Sequence, residues 1–277
     1  MGKTSIEWTD WSINPIRARH TSGSRGHYCE KIAPGCANCY ASRLQQRFRM
    51  HEYGGQALRK NVEIYLDQSA LKTVRARRKP TRWFWCDMTD FFGEFIPAEF
   101  RRFCFETMDQ TYWHTHQLLT KRPGNIRDMW CTNTSDPEKG LARENVHLGV
   151  SISDQRTAEL NIHQLLFCSD LASVLFLSVE PLLGPVDLRP WLTDPDGINW
   201  VIIGGESGPH ARHCEIAWIQ SLVQQCTAAG VPCFVKQAGS KPVGAGSDKI
   251  RSPKGGNPDE WPSQIRLRQL PFFAESE

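Results

Sequence analysis

The sequence predicts an α/β protein built as a partial or irregular (β/α) barrel of the TIM type, with about six to seven β/α units. Three observations carry that reading. From residue 83 onward, short apolar runs alternate with longer amphipathic stretches. The apolar runs are continuous rather than alternating, as in strands covered on both faces. Each run ends in polar residues, at the end where parallel-sheet enzymes place their chemistry. With 277 residues and 40 % hydrophobic side chains, the chain can fill a large core, which excludes disorder for most of its length.

Taken in order, a first strand is expected near Ile13–Arg17 and a helix at Tyr40–Met50. Strands follow at Trp83–Met88, Gln117–Thr120, His147–Ile152, Val174–Val179, Trp200–Ile203 and Cys233–Val235. Between them, Pro97–Thr111 opens with proline at a first-turn position, and Asp154–Phe167 follows a Ser-Asp cap. Ile216–Ala229 stops at Gly230, which suits a left-handed helix end. Residues 1–240 are read as the barrel, with a cysteine loop at 29–39, and 241–277 as a loop-rich extension packing on the same domain. A flat doubly wound sheet is the rival arrangement. No window approaches the roughly 18 to 20 apolar residues of a membrane span, and the N-terminal stretch MGKTSIEWTDWSINP lacks a secretory apolar core. A soluble cytoplasmic chain is expected, with no membrane partner. A net charge of +3 permits a nucleic-acid partner without requiring one.

The strand ends form a dense polar rim: Asp87–Asp90, Thr120–Arg122, Ser151–Gln155, Ser178–Pro181, Gly204–Ser207 and Lys236–Gln237. Helix caps account for the Ser and Asp residues. Lys121, Glu180, Glu206 and Lys236 are harder to explain that way, because unpaired charge is expensive near a barrel mouth, and these four are the candidate catalytic groups. Structural ion pairing is the alternative. Gly204 and Gly205 read as a tight strand-to-loop bend that lets backbone approach a ligand, with Glu206 aimed inward. Arg122, Gly204, Gly205, Arg212 and Gln237 are substrate-side candidates by location.

Seven of the ten cysteines are scattered singly among apolar or helical stretches, the ordinary setting of a buried thiol. Cys29, Cys36 and Cys39 stand apart, in a C-x6-C-x2-C spacing across Pro34-Gly35. A bend there can bring Cys29 back against the close pair. Three thiolates suit an iron–sulfur cluster with one open iron. His20 or His27 can instead complete a four-ligand zinc site, and a loop without metal is the third possibility.

Cys36-Ala37-Asn38-Cys39-Tyr40 is similar to the end of the radical S-adenosylmethionine (SAM) cysteine motif and looks especially like that of spore photoproduct lyase, although the first gap is longer here. The whole chain resembles a phage and bacterial family known for its three-cysteine motif. The matching segments are SIEWTDWSINP, APGCANCYASRL, WFWCDMTDFF, LLTKRP, HLGVSISDQ, FLSVEPLLGPVDL, WVIIGGESGPHAR, AGVPCFVKQAG and KGGNPDEWP, from Ser5 to about Pro271. Arg17–Gly26 looks like an insertion in it.

The resemblance implies that Cys29, Cys36 and Cys39 hold a [4Fe-4S] cluster whose remaining iron binds S-adenosyl-L-methionine. One electron then cleaves SAM to methionine and a 5′-deoxyadenosyl radical. It places Tyr40, Met88, Thr89 and Asp90 beside the cofactor, with Ser151, Ser153, Asp154 and Gln155 on its ribose or carboxylate. A nucleobase or nucleic acid is the expected substrate. The run Lys72, Arg75, Arg77, Arg78, Lys79 and Arg82 leads into Trp83 and Trp85, and such interleaving can track phosphates and stack bases. A flavodoxin or ferredoxin is the implied electron donor. The alternative function is a zinc-stabilised nucleic-acid-binding protein without catalysis.

Overall fold

A computed structural model describes residues 2–48, 50, 54–131, 142–193 and 197–271. The fold is α/β, a parallel half-barrel sheet of seven strands with a short antiparallel strand at one edge. The chain divides into two compact units, Met1–Gly149 with Asp170–Ser173, and Val150–Ser169 with Val174–Glu277.

The first unit opens with β1 (Gly2–Lys3), β2 (Trp11–Ile13), β3 (Ile16–His20), β4 (Arg25–Gly26) and α1 (Tyr40–Arg47). It continues with β5 (Val62–Leu66), α2 (Gln68–Ala76), β6 (Arg82–Trp85), α3 (Ala98–Asp109), β7 (Thr115–Thr120) and α4 (Ile126–Cys131). Strand β8 (Arg143–Ile152) starts in this unit and runs on into the second. The sheet order here is β1-β2-β6-β7-β8. Strands β2, β6 and β7 are parallel, with Ile13 opposite Trp85 and Trp85 opposite Leu118. Trp83, Trp85, Leu118 and Leu148 are completely buried, which explains why these strands read as unbroken apolar runs.

Two boundaries differ from expectation, each for a local reason. The strand expected at Ile13–Arg17 is split, because Pro15 has no amide to continue the ladder. The chain leaves the main sheet there and forms β3, which pairs antiparallel with β4 and β5 in a separate three-stranded sheet. The insertion-like segment Arg17–Gly26 is this β3–β4 hairpin, turned at Gly23 with φ +86°. The strand expected to run to Met88 stops at Trp85, since Cys86 takes φ +59°, a left-handed conformation unusual for a non-glycine residue.

In the second unit come α5 (Gln155–Leu166), β9 (Ala172–Val179, whose first two residues belong to the first unit), α6 (Arg189–Leu192), β10 (Trp200–Gly204), β11 (Cys214–Glu215), α7 (Ile216–Ala229), β12 (Cys233–Gln237) and β13 (Pro242–Val243). The sheet order is β8-β9-β10-β12, with β9, β10 and β12 parallel. Helix α7 ends as the sequence predicts, at Gly230 with φ +70°. The segment after β12 covers that edge strand. The Val235 amide donates to the Leu267 carbonyl at 2.8 Å and the Gln269 amide to the Cys233 carbonyl at 2.8 Å. An edge that would otherwise offer unpaired amides is thereby closed.

Candidate active site

The cysteine loop is fastened to the first unit by side chains that bond to backbone. Gln45 on α1 is fully buried and accepts from the His27 amide at 2.7 Å while donating to the His27 carbonyl at 3.0 Å, so helix and loop share a two-point contact. Tyr28 lies edge-on to Phe95, with ring centroids 4.9 Å apart, and its carbonyl accepts from the Thr89 hydroxyl. Glu30, beside Cys29, is paired with Arg122 at 3.0 Å, and Arg122 also holds Glu94. Gly54, at φ +86°, passes so close that a Cβ would lie 2.9 Å from the Cys29 carbonyl oxygen.

Between these ties the loop presents its three thiols, all free. Pro34–Cys36 is a short 3-10 turn that starts on proline, and Cys39 caps the N-terminus of α1 with extended ψ of 127°. Cys36 is buried, and Cys29 and Cys39 pack against Ala41 and Met88. Burial pushes the Cys29 thiol up to about 12, with the negative charge of Asp90 and of the other two cysteines adding to the effect and Lys121 opposing it. The three sulfurs, Asp90 and Lys121 therefore share one electrostatic environment. Among the described residues no group of three or more His, Cys, Asp or Glu side chains is drawn tightly enough to grip a metal ion. His20, a candidate fourth ligand, has its Nδ1 on the Ser22 hydroxyl at 2.9 Å, in its own hairpin.

The turn after β6 forms the floor. Asn14, just past β2, donates to the Asp87 carboxylate and accepts from the Met88 amide at 3.0 Å. Burial holds the Asp87 carboxyl above its usual range despite hydrogen bonds from Asn14 and Tyr40, and the Tyr40 hydroxyl also donates to the Asp87 carbonyl. Asp90 is buried and accepts from the Thr120 hydroxyl at 2.6 Å, the Lys121 amide at 3.0 Å and the Phe92 amide at 3.1 Å. Its carboxylate thus locks the β6 turn to the end of β7. Cys29, Cys36, Cys39, Tyr40, Met88, Thr89, Asp90, Lys121 and Arg122 are brought together at the carboxyl ends of β6 and β7, with Arg122 engaged in its double ion pair.

The rim residues of the second unit form three groups. Glu180 accepts from the Lys236 ammonium at 2.7 and 3.0 Å and from Gln237 at 3.4 Å, while Gln237 also donates to the Gly205 carbonyl at 2.9 Å. A Cβ on Gly204 would touch Glu180 at 3.2 Å, so that glycine makes room for the carboxylate. Glu206, buried, takes a bidentate hold of Arg212 at 2.6 and 3.0 Å and accepts the Arg212 amide at 2.8 Å. Asp154 caps α5 in a reciprocal box with Thr157, and the Gln155 amide oxygen accepts from the Asp187 amide at 2.8 Å. Ser151 and Ser153 are buried next to that cap.

Three outcomes stand out against the sequence reading. Trp83 and Trp85 are buried in the core, so they offer no face to a base. The arginines near them are partly engaged: Arg77 lies over Trp11 at 4.8 Å, Arg78 over Trp113 at 5.5 Å, and Arg82 grips Asp10 at 2.8 Å. Asn14, Tyr28, Glu30, Gln45 and Glu94 were not foreseen. Glu30 adjoins Cys29 and Asn14 closes the SIN-Pro strand end, which were the signals available for those two.

Residues 3–258 match the DUF5131 family, described as a protein of unknown function, and the chain belongs to that family. No curated protein matches. Among solved structures there is a likeness to a mutant spore photoproduct lyase with AdoMet and dinucleoside spore photoproduct bound, at 9 % sequence identity and a TM-score of 0.40. The likeness covers 82 % of this chain, which spans 55 % of that protein's length.

Proposed function

We propose that this member of the DUF5131 family is a radical SAM-type iron–sulfur enzyme, with Cys29, Cys36 and Cys39 as the ligands of a [4Fe-4S] cluster and S-adenosyl-L-methionine as its cosubstrate. The observation that carries the reading is that one loop presents three free thiols at the carboxyl ends of parallel strands, Cys29 and Cys39 packed on Met88, with Cys36, Cys39, Asp90 and Lys121 all acting on the charge of Cys29. Soft thiolates in this number suit a cluster that keeps one iron open. When bound, such a group supplies the one-electron cleavage of the sulfonium cosubstrate.

The chain's own residues then have distinct tasks. Lys121 favours the charged form of Cys29. Asn14, Thr89 and Asp90 fix the β6 turn and the loop against each other. Met88 and Ala41 give Cys29 and Cys39 an apolar floor, which excludes water from reactive species. In the second unit, Glu180 with Lys236 and Glu206 with Arg212 are our candidates for proton handling and substrate contact. A nucleobase within nucleic acid is our proposed substrate class, supported by the exposed Lys72, Arg78 and Lys79 on and after α2.

Anaerobic reconstitution tests this reading. A brown protein with about four irons per chain, yielding 5′-deoxyadenosine from SAM and dithionite, is the expected result. One colourless zinc per chain and no SAM turnover would overturn it in favour of a zinc-stabilised binding protein.

A further inference from the structure

Trp83 and Trp85 lie in the core, but the basic run that leads to them meets two other rings at the surface. Tyr112 is 77 % exposed, the most open large hydrophobic side chain among the described residues. It stands edge-on to half-buried Trp113, with ring centroids 5.3 Å apart. The Trp113 ring nitrogen donates to the Arg77 carbonyl at 3.1 Å, which fixes the ring against the segment that carries the charges. Arg78 lies over Trp113 at 5.5 Å and Arg77 over Trp11 at 4.8 Å. A cation drawn over a ring keeps its charge and its N–H donors but has already given up some freedom, so it loses less on taking a phosphate. The acids at this end of the strands are mostly taken: Asp10 is paired with Arg82, Glu106 with Arg102 and Asp109 with Arg143. Asp67, at the far end of α2, is paired with Arg17. Glu7, before β2, and Glu144, at the start of β8, are exposed. Against them stand Lys72, Arg78 and Lys79, exposed and without a salt bridge among the described residues, with Arg75 and Arg77 bonded only to the Thr107 and Thr81 hydroxyls. The balance is positive, and it is centred on the rings.

We propose that Tyr112 and Trp113, with Arg77, Arg78 and Lys79, form an anchoring surface for single-stranded nucleic acid, separate from the thiol loop. An exposed ring stacks on an unpaired base, and the cations beside it take the phosphates. The surface lies just before β7, which starts at Thr115 and ends at Thr120, next to Lys121. A strand of 6 residues spans roughly 20 Å, so the anchor and the thiol loop stand at opposite ends of β7. The surface therefore holds a strand by a stretch remote from the cysteines and does not present a base to them. It shares the class of partner with the proposed function and depends on none of its chemistry. A duplex keeps its bases stacked on one another and offers Tyr112 no open face. A protein partner needs a continuous dry apolar centre. Here Leu71, Val74 and Trp83 are completely buried, and Tyr112 is the one exposed large hydrophobic among the described residues of the patch.

The test measures binding of fluorescent oligo-dT, oligo-U and a duplex of the same length to the full chain, by anisotropy, from about 50 to 200 mM salt. Tyr112→Ala should weaken both single strands about tenfold with the salt slope unchanged, because it removes stacking and no charge. Tyr112→Phe should bind as the wild type does, since the ring and not the hydroxyl stacks. Arg78→Ala with Lys79→Ala should lower the slope of log affinity against log salt by about 1.4, the share of two phosphates on a single strand. These side chains are exposed, so the circular-dichroism melting curves should match. Binding by only one of the two single strands also supports the surface, and identifies DNA or RNA as its partner. Equal binding by wild type and Tyr112→Ala overturns the surface, as does a duplex bound as tightly as the single strands. Polyglutamate held as tightly as the oligonucleotides would reduce it to a charged patch and overturn it too. In the reconstituted chain, dithionite-driven 5′-deoxyadenosine formation should be the same in wild type and Tyr112→Ala, and a fall would overturn the separation from the thiol loop. A wild type that binds the strands and makes no 5′-deoxyadenosine removes the radical reading and leaves this surface standing.

Discussion

The cysteine loop and the ends of β10 and β12 organise their polar groups in opposite ways. Around the loop the ties are side chain to backbone or side chain to side chain, through Gln45, Thr89 and Arg122, and the free thiols lie between them. At β10 and β12 the ties are backbone against backbone. A Cβ on Gly205 would lie 2.2 Å from the Ala238 carbonyl oxygen, one on Gly239 would lie 2.9 Å from that of Glu206, and one on Gly255 would lie 2.5 Å from that of Gly239. The charges there, Glu180 with Lys236 and Glu206 with Arg212, are already paired. In the first region a reactive group can be removed while the scaffold stands. In the second, the close approach of the chains is itself the scaffold.

The sharpest way to break this contrast is Cys36→Ala. We expect it to abolish bound iron and SAM cleavage after reconstitution, because only two thiols remain for three ligand positions. The thermal midpoint should move little, since the change removes one small buried sulfur, about 1 kcal/mol. Iron analysis beside a melting curve checks both halves. A variant that keeps its iron and its turnover would remove Cys36 from the ligand set, and one that unfolds would make the loop part of the scaffold.

Gly205→Ala should behave in reverse. The new methyl meets backbone, not the end of a flexible side chain, and the strand ends must separate to admit it, at a cost of about 3 kcal/mol. Gly184→Ala is the control, as nothing lies within 4 Å of its added Cβ. Urea midpoints that differ strongly between the two place the strain at the crossing. Equal midpoints would mean that the chains yield there cheaply.

These contrasts also show what the sequence could convey. Strands buried on both faces announce themselves by composition, and the cap at Asp154 and the stop at Gly230 are local, so both were legible. Pro15 and Cys86 redirect the chain at single residues, and their effect on strand length was not. The ties of the loop were hidden for a different reason: Gln45 is 18 residues from His27, Asn14 is 73 from Asp87, and Arg122 is 92 from Glu30. A side chain that bonds to a partner so far along the chain leaves no periodic trace. The thiols were visible because they share one short segment. The charges of the second unit were visible too, but their partners were not, since Glu180 and Lys236 stand 56 residues apart.

Acid separates the two regions by a smaller amount. In the first unit, Trp85 can only donate from its ring nitrogen, and it does so to His116 Nδ1 at 3.0 Å. The proton of His116 is thereby on Nε2, facing the Thr111 hydroxyl at 3.1 Å, which in turn donates to the Thr107 carbonyl at 2.6 Å. Burial lowers His116 to about 3 and His147 to about 4, and each is neutral in the folded chain. The unfolded chain binds their protons below about 6.5, the folded chain only near 3 to 4, so stability falls as pH drops from about 6.5 through that window and flattens below it. A loss of a few kcal/mol is expected. His116→Gln, which preserves an acceptor for Trp85, should remove part of the slope. Urea midpoints that are flat between these pH values would mean that the ring already carries its second proton.

Glu260 sets the later and weaker limit, in the second unit. Its carboxylate accepts the Ser252 and Arg251 amides, each at 2.8 Å, and these bonds hold its pKa at about 2. The sign is opposite in mechanism to that of His116 but the same in direction. A carboxyl whose folded value is depressed contributes stability above its unfolded value of about 4.5, and that contribution is lost as pH falls towards about 2. The C-terminal segment should therefore stay ordered while the first unit is already responding to acid. Carboxyl titration followed by NMR should place Glu260 near 2, and amide exchange at Arg251 and Ser252 should quicken only below about 4.5. Glu260→Gln keeps an acceptor oxygen but no titrating charge, so amide exchange at Arg251 and Ser252 should already be faster at neutral pH and show no further onset near 4.5. Quickening that begins near 6.5, together with the His116 transition, would show that the two regions respond to acid as one.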